Sequence, residues 1–471
     1  MRHLPPLLAL LTACGGPSPG PGKTPTTDSD TDSDSASDSD TEVPTDDSPC
    51  TPGVANIEIA QATFIGAEAG VPMRLVEALG DVDGDGTADY LLHTLGVTVH
   101  HGWIVSGEAL GSGPVDEMAM TDIEITSPIH PDLHATGDVT GDGLADFSVS
   151  DQAGIDETVY LMSGDLRGVV HGYSQAYATL TGIWTTRPWM DVDGDGADEF
   201  FGLERADVFP GNGVYLLPGG LTGPADANDL YIASITLDPP GDVDTRFARS
   251  IVHADLDGDG LEDLITSDRS WGEAQGQIFS PPDVGAVWAF TSPIDSDLNA
   301  ERDAAAEWHT GDDVKWLFGH ALAAGDLNGD GHPDLGVSAI GADNFGGSFV
   351  FFGPFEGRSI LADAAITVPG TETGRTGVGV AIGDYSGDGD GDLLVPMISG
   401  DGAVLRFDSP GGGSYAPEEA CLWIEPENPG DFLGGELSGI DADGDGVGDV
   451  MVQAAEAYGS SGAVYLLRGP I

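Results

Sequence analysis

The chain has 471 residues, 40% of them hydrophobic, and carries 80 Asp and Glu against 15 Lys and Arg, a formal net charge of −65. Such a balance argues against nucleic acid as a partner, because phosphate binding needs clustered cations. Three cysteines (Cys14, Cys50 and Cys421) show no Cys-x-x-Cys or zinc spacing, and no apolar run is long enough for a transmembrane helix.

Residues 1–14 have a basic start, a short apolar run and small residues before Cys14, the pattern of an export signal rather than of folded structure. Leu11-Thr12-Ala13-Cys14 resembles the bacterial lipobox, whose Cys is lipidated and becomes the first residue of the mature protein. The resemblance implies membrane attachment through a lipid on Cys14 alone. Gly15, where inner-membrane retention would want Asp, points to the outer membrane or cell surface. Residues 15–52 are Pro/Gly-rich and then Ser/Asp-rich, with almost nothing to bury and charge of one sign. They are expected to be a disordered, self-repelling tether.

Residues 53–471 form the folded part, and within them one phrase returns seven times: D-x-[D/N/S/T]-x-D-G-x-x-[D/E]. About a third of the 80 acidic residues sit in these copies. Side-chain oxygens fall at positions 1, 3, 5 and 9, and the sixth position is Gly where the chain must turn, in six of the seven followed by a seventh residue with no charge of its own. Positions 1, 3, 5 and 9 are Asp81, Asp83, Asp85 and Asp89 in the first copy and Asp138, Thr140, Asp142 and Asp146 in the second. They are Asp191, Asp193, Asp195 and Glu199 in the third, and Asp255, Asp257, Asp259 and Asp263 in the fourth. The fifth has Asp326, Asn328, Asp330 and Asp334; the sixth Asp384, Ser386, Asp388 and Asp392; the seventh Asp441, Asp443, Asp445 and Asp449. Position 7 offers a backbone carbonyl from Thr87, Leu144, Ala197, Leu261, His332, Asp390 or Val447. Six to eight hard oxygens suit calcium, so up to seven Ca²⁺ are expected. The alternative, Asp-Gly turns that merely end hairpins, accounts poorly for seven loops with the same four oxygen-bearing slots. Thr140, Asn328 and Ser386 leave their loops one charge short, which predicts weaker calcium binding in the second, fifth and sixth than in the first, fourth and seventh.

The copies begin 53 to 71 residues apart, the length of one propeller blade. Around the fifth copy, short apolar runs at 316–327, 335–340, 347–353 and 365–368 read as a β-meander. Third runs recur at 213–217, 285–290 and 462–467, and fourth runs at 122–125, 234–237 and 422–425. The last repeat ends after its third run, while an unpaired run, Asn56 to Ile59, precedes the first loop. Setting that run on the outer edge of the last blade closes the ring. The fold expected is therefore all-β, a seven-bladed β-propeller with calcium-binding hairpin loops behind a disordered acidic tether.

The phrase Phe318-Gly319, Ala323-Ala324-Gly325-Asp326 and its loop, then Gly347 to Phe352, resembles the FG-GAP repeat, found in integrin α heads and bacterial surface proteins. The resemblance covers about residues 53–471 and implies calcium loops between the first and second strands on one face of a seven-bladed ring. It does not carry over any ligand specificity.

His100 and His101 adjoin in a third-strand run and should face opposite sides, unable to share one ion. His130 with His134, and His309 with His320, are the other groupings, and no nucleophile elbow, phosphate loop or His-Glu-x-x-His occurs. Trp184, Trp189, Trp271, Trp288, Trp308 and Trp316 fit packing between blades better than a carbohydrate face. The long connections at 219–229 and 295–313 are the ligand-site candidates. The function expected is a monomeric, calcium-binding cell-surface lipoprotein, not an enzyme, that binds a surface protein or polysaccharide. An exported propeller enzyme acting on polysaccharide or phosphoester, and a purely structural envelope protein, are the alternatives. Export also exposes Cys50 and Cys421 to oxidation, and the blade layout sets them at the same end of neighbouring outer strands, so a disulfide between them is expected.

Overall fold

In a computed structural model, residues 52–471 are described except 69, 95, 97–98, 128–130, 152–157, 204–212, 238–246, 249, 270, 272–284 and 311–315. The export signal with Cys14, all but the last residue of the tether, Cys50 and His130 lie outside the described residues.

Seven sheets form the seven blades, and each has five strands where four were expected. In blade 1 the first four are Met73–Gly80, Asp89–Thr94, Val99–Val105 and Thr121–Thr126, paired antiparallel in sequence. The fifth, Gly168–His171, runs parallel to the fourth and comes from the chain of the next blade. The same exchange recurs around the ring: Gly223–Asp226 joins blade 2, Leu298–Asn299 blade 3, Gly357–Ile360 blade 4 and Gly413–Ser414 blade 5. In each case the connection after a third strand reaches back to cover the preceding blade's edge before the chain returns to its own fourth strand. An uncovered edge would present a row of unpaired amides and carbonyls. The connections proposed as insertions at 219–229 and 295–313 contain two of these exchanged strands, Gly223–Asp226 and Leu298–Asn299. Their cue was a turn glycine: Gly111, Gly168, Gly223 and Gly357 open their fifth strands at φ of 87°, 73°, 74° and 71°.

The closure also differs from expectation. Gly53–Asn56 is the fifth strand of blade 6, parallel to Leu422–Glu425, and Ile57–Ile59 is a 3₁₀ turn. The strand that completes blade 7 is Ala62–Ile65, antiparallel to Ala463–Leu467, with Gly111–Pro114 outside it. One N-terminal segment thus finishes two blades, because it carries both parts that every other repeat places after its third strand.

Second strands such as Asp263–Asp268, Asp334–Ala339 and Asp449–Ala454 are buried along their whole length, as sheets covered on both faces require. Apolar side chains gather in seven clusters, each between two neighbouring blades. Trp189 and Trp288 fill the cluster between blades 3 and 4, with Trp184 and Trp271 against it; Trp308 fills the next one, with Trp316 against it. All six of these tryptophans therefore pack between blades. Near the axis the inner strands approach so closely that a Cβ on Gly439 would lie 2.2 Å from the Tyr385 hydroxyl of the neighbouring blade.

Phe64, on the closing strand, is fully buried between blades 7 and 1 with Tyr90, Trp103 and Leu466. Phe64→Ala should destabilise the protein by about 3 to 5 kcal/mol in denaturant unfolding, the usual cost of emptying a Phe site. A loss below about 1 kcal/mol would mean that this strand does not close the ring.

Candidate functional site

Every acidic phrase forms the hairpin between the first and second strands of its blade, so the seven loops emerge at one end of the ring. The local geometry repeats closely. The position 1 carboxylate accepts from the position 4 amide through one oxygen in six of the loops, as in Gly84 N to Asp81 Oδ1 at 2.6 Å. Its other oxygen accepts from the position 6 glycine in all seven, from 2.6 Å at Asp138 to 3.0 Å at Asp255 and Asp441. The position 5 carboxylate accepts from the position 7 amide in all seven, at 2.8 Å for Asp85, Asp259 and Asp445. These bonds fold the loop tightly around its own carboxylates.

Position 9 does something different. Asp89, Asp146, Glu199, Asp263, Asp334, Asp392 and Asp449 are all buried. One oxygen holds an amide at the start of the loop, for example Val82 N at 3.0 Å from Asp89 and Leu327 N at 2.9 Å from Asp334. The other holds an amide just beyond the third strand: Gly107, Gly164, Gly219, Ser292, Gly353, Ser409 or Gly469. The carboxylate is thus a clamp between two parts of the blade. Burial raises the proton affinity of all seven, to about 7 for Asp89 and about 6 for Asp146 and Asp392. Backbone hydrogen bonds pull the other way and win less.

Oxygens of Asp81, Asp83 and Asp85 lie within 4.8 Å of one another, as do those of Asp255, Asp257 and Asp259, and of Asp441, Asp443 and Asp445. In the third loop Asp191 and Asp193 converge with Glu199, the position 9 residue. The donors are hard oxygens only, in a tight turn with a carbonyl at position 7, a set that fits Ca²⁺. In the second, fifth and sixth loops the third position is Thr140, Asn328 or Ser386, each an oxygen donor without charge.

Two features were not foreseen. First, neighbouring loops are bonded to each other through position 8: Ala88 N to Ala442 O at 2.8 Å, Ala145 N to Asp81 O at 2.9 Å, Asp198 N to Asp138 O at 2.7 Å, and Gly448 N to Asp384 O at 2.6 Å. Asp198 also accepts from Asp138 N at 2.7 Å and from the backbone of Asp191, so it serves the second loop as well as its own. Pro333 at this position has no amide to give, which the sequence does reveal. Second, Arg468 places Nη1 2.8 Å from Asp443 Oδ2 and so already partly neutralises the seventh loop.

The two adjoining histidines face opposite sides, as expected. His100 is buried with Nε2 3.2 Å from Ser127 O, whereas His101 faces the other side and pairs with Asp122 at 2.9 Å. His134 pairs with Glu77 at 2.8 Å; His309 lies against Arg358, and His320 against Arg269. Cys421 is disulfide-bonded. Gly53 N donates to Cys421 O at 2.8 Å, which brings the chain three residues after Cys50 alongside Cys421, and we propose Cys50 as the partner. Thiol labelling of the unfolded, unreduced mature protein should leave both unreacted; labelling at Cys50 would exclude the pairing.

Residues 318–351 match the family model of the FG-GAP repeat. Integrin alpha-IIb of Mus musculus is 34% identical over 201 residues, 39% of this chain and 19% of that protein. Phosphatidylinositol-glycan-specific phospholipase D of Bos taurus is 30% identical over 220 residues, 42% of this chain and 25% of that protein. The chain thus spans a quarter or less of the length of these two relatives. Among solved structures, the WD40 domain of Toxoplasma gondii coronin aligns over 87% of this chain and 88% of that one, at 10% identity and a TM-score of 0.46. The chain is a seven-bladed β-propeller that carries an FG-GAP repeat at residues 318–351 and resembles integrin alpha chains over part of its length.

A pH dependence follows from the clamp carboxylates. Without metal, their proton affinity is raised on folding from an ordinary value of 3.8 to about 7 in Asp89, so the native state keeps protons that the unfolded chain releases. Stability of the metal-free protein should therefore fall as pH rises from about 4 to about 7. Melting curves in chelator that instead rise over this window would contradict the placement of these groups.

Proposed function

We propose that the chain is an exported, calcium-stabilised β-propeller that binds a second macromolecule, protein or polysaccharide, at the cell surface. The observation that carries this reading is the ring of seven acidic loops at one end of the fold, each folded around its position 1 carboxylate. Calcium in these loops offsets the repulsion among their carboxylates and fixes the face that a partner would meet. Likeness to an integrin alpha chain supports recognition of another molecule, and both relatives support an exported location. Lipid attachment at Cys14 rests on the lipobox resemblance; among the described residues, no helix is long and apolar enough to cross a membrane.

The second reading, hydrolysis of a phosphoester, is favoured by the likeness to a protein named as a phospholipase D, over a quarter of that protein's length. An array of glycans and envelope proteins, probed with and without calcium beside a phosphodiesterase assay, separates the two. Calcium-dependent capture without turnover is expected; turnover without capture would favour the enzyme.

Affinity should follow charge. The first and fourth loops, with four acidic donors, should bind calcium more tightly than the second, fifth and sixth. The seventh should fall below the first and fourth, because Arg468 competes for Asp443. Calcium titration of position 1 Asp→Asn variants, one loop at a time, checks this order; equal losses from every loop would refute it.

A further inference from the structure

On blade 1, away from the acidic loops, four metal-ligating side chains share one face of the sheet. His101 stands in the third strand, Asp122 and Glu124 in the fourth, and His171 in the fifth. His101 is paired in register with Glu124, and Glu124 with His171, so the three side chains form a row across three strands. Asp122 lies two residues from Glu124 and hence on the same face. His101 also pairs with Thr94, the last residue of the second strand, which puts the row toward the end of the blade opposite its acidic loop.

The distances are short. His101 Nδ1 is 2.9 Å from Asp122 Oδ1, and His171 Nδ1 is 2.6 Å from Glu124 Oε2. One ligand atom each from His101, Asp122 and Glu124 lie within 4.8 Å of one another. The His101 ring is stacked on Trp103, with centroids 5.3 Å apart and planes 7° from parallel, which fixes its direction. Exposure of the side chains rises outward along the row, from 16% for Asp122 and 27% for His101 to 36% for Glu124 and 74% for His171. An ion can thus enter from solvent and meet a partly buried inner pair. Among the described residues, the other groups of this kind all belong to acidic loops and hold only carboxylates.

We propose that His101, Asp122 and Glu124, with His171 as the fourth ligand, form a binding site for Zn²⁺ distinct from the calcium loops. Two imidazoles and two carboxylates suit a borderline ion that takes nitrogen and oxygen at about 2.0–2.2 Å, whereas Ca²⁺ takes oxygen alone. Binding would replace the two His–carboxylate hydrogen bonds, with the ring protons released to solvent. It would tie the third, fourth and fifth strands of blade 1 together, and so pin a segment that belongs to the chain of blade 2.

The test uses the mature chain with calcium saturating, so that the loops are filled, and titrates Zn²⁺ by calorimetry and Co²⁺ by visible absorption. One Zn²⁺ per chain is expected, with Co²⁺ giving the intense bands of a four-coordinate N/O site. His101→Ala should weaken Zn²⁺ binding by about tenfold or more, the scale lost even when only a supporting partner is removed. Glu124→Gln, which preserves shape, should do the same while its zinc-free melting curve matches that of the parent. Wild-type protein that takes up no Zn²⁺ above the calcium background, or binding that both variants retain in full, would overturn the assignment.

Discussion

In each blade a buried carboxylate takes one hydrogen bond from the start of its own loop and another from the backbone just past the third strand. This clamp joins the axial side of the blade to its middle and sets where the loop sits. It also carries a cost, since burial opposes the charge that a cation ligand must hold. In the reading proposed above, fold and metal are therefore linked through the same seven side chains. Removing one of them would leave two amides without an acceptor, so its role cannot be reduced to metal binding alone.

The loops are not independent. Position 8 amides join the seventh loop to the first, the first to the second and the second to the third, and the sixth to the seventh. The bond between Ala88 and Ala442 spans the point where the ring closes. The same junction is held by Phe64 inside and by the exchanged strands outside. The geometry of one loop thus bears on that of its neighbours.

The blade count and loop positions were legible because each copy repeats the same donors at the same spacing, and backbone turns around Asp and Gly are local. The third and fourth strands around the fifth loop fell within two residues of their expected places, since short apolar runs bounded by Gly mark them. The fifth strands were missed. Segments such as Gly111–Pro114 and Gly413–Ser414 have almost no apolar pattern, because they bond to the outer edge through main chain alone. That omission misplaced the closing strand by a few residues and made two exchange segments look like insertions. The row from His101 to His171 was hidden for a related reason: its members come together only once a strand from the next repeat is laid beside Glu124.

Cations that offset the burial and crowding of these carboxylates should hold the folded state together. The most direct measurement is thermal melting of the mature protein in calcium, in chelator, and in chelator followed by magnesium. Chelator should lower the midpoint by many degrees and magnesium should restore little of it, because Mg²⁺ demands a smaller octahedral shell. A melting curve unchanged by chelator would contradict the account.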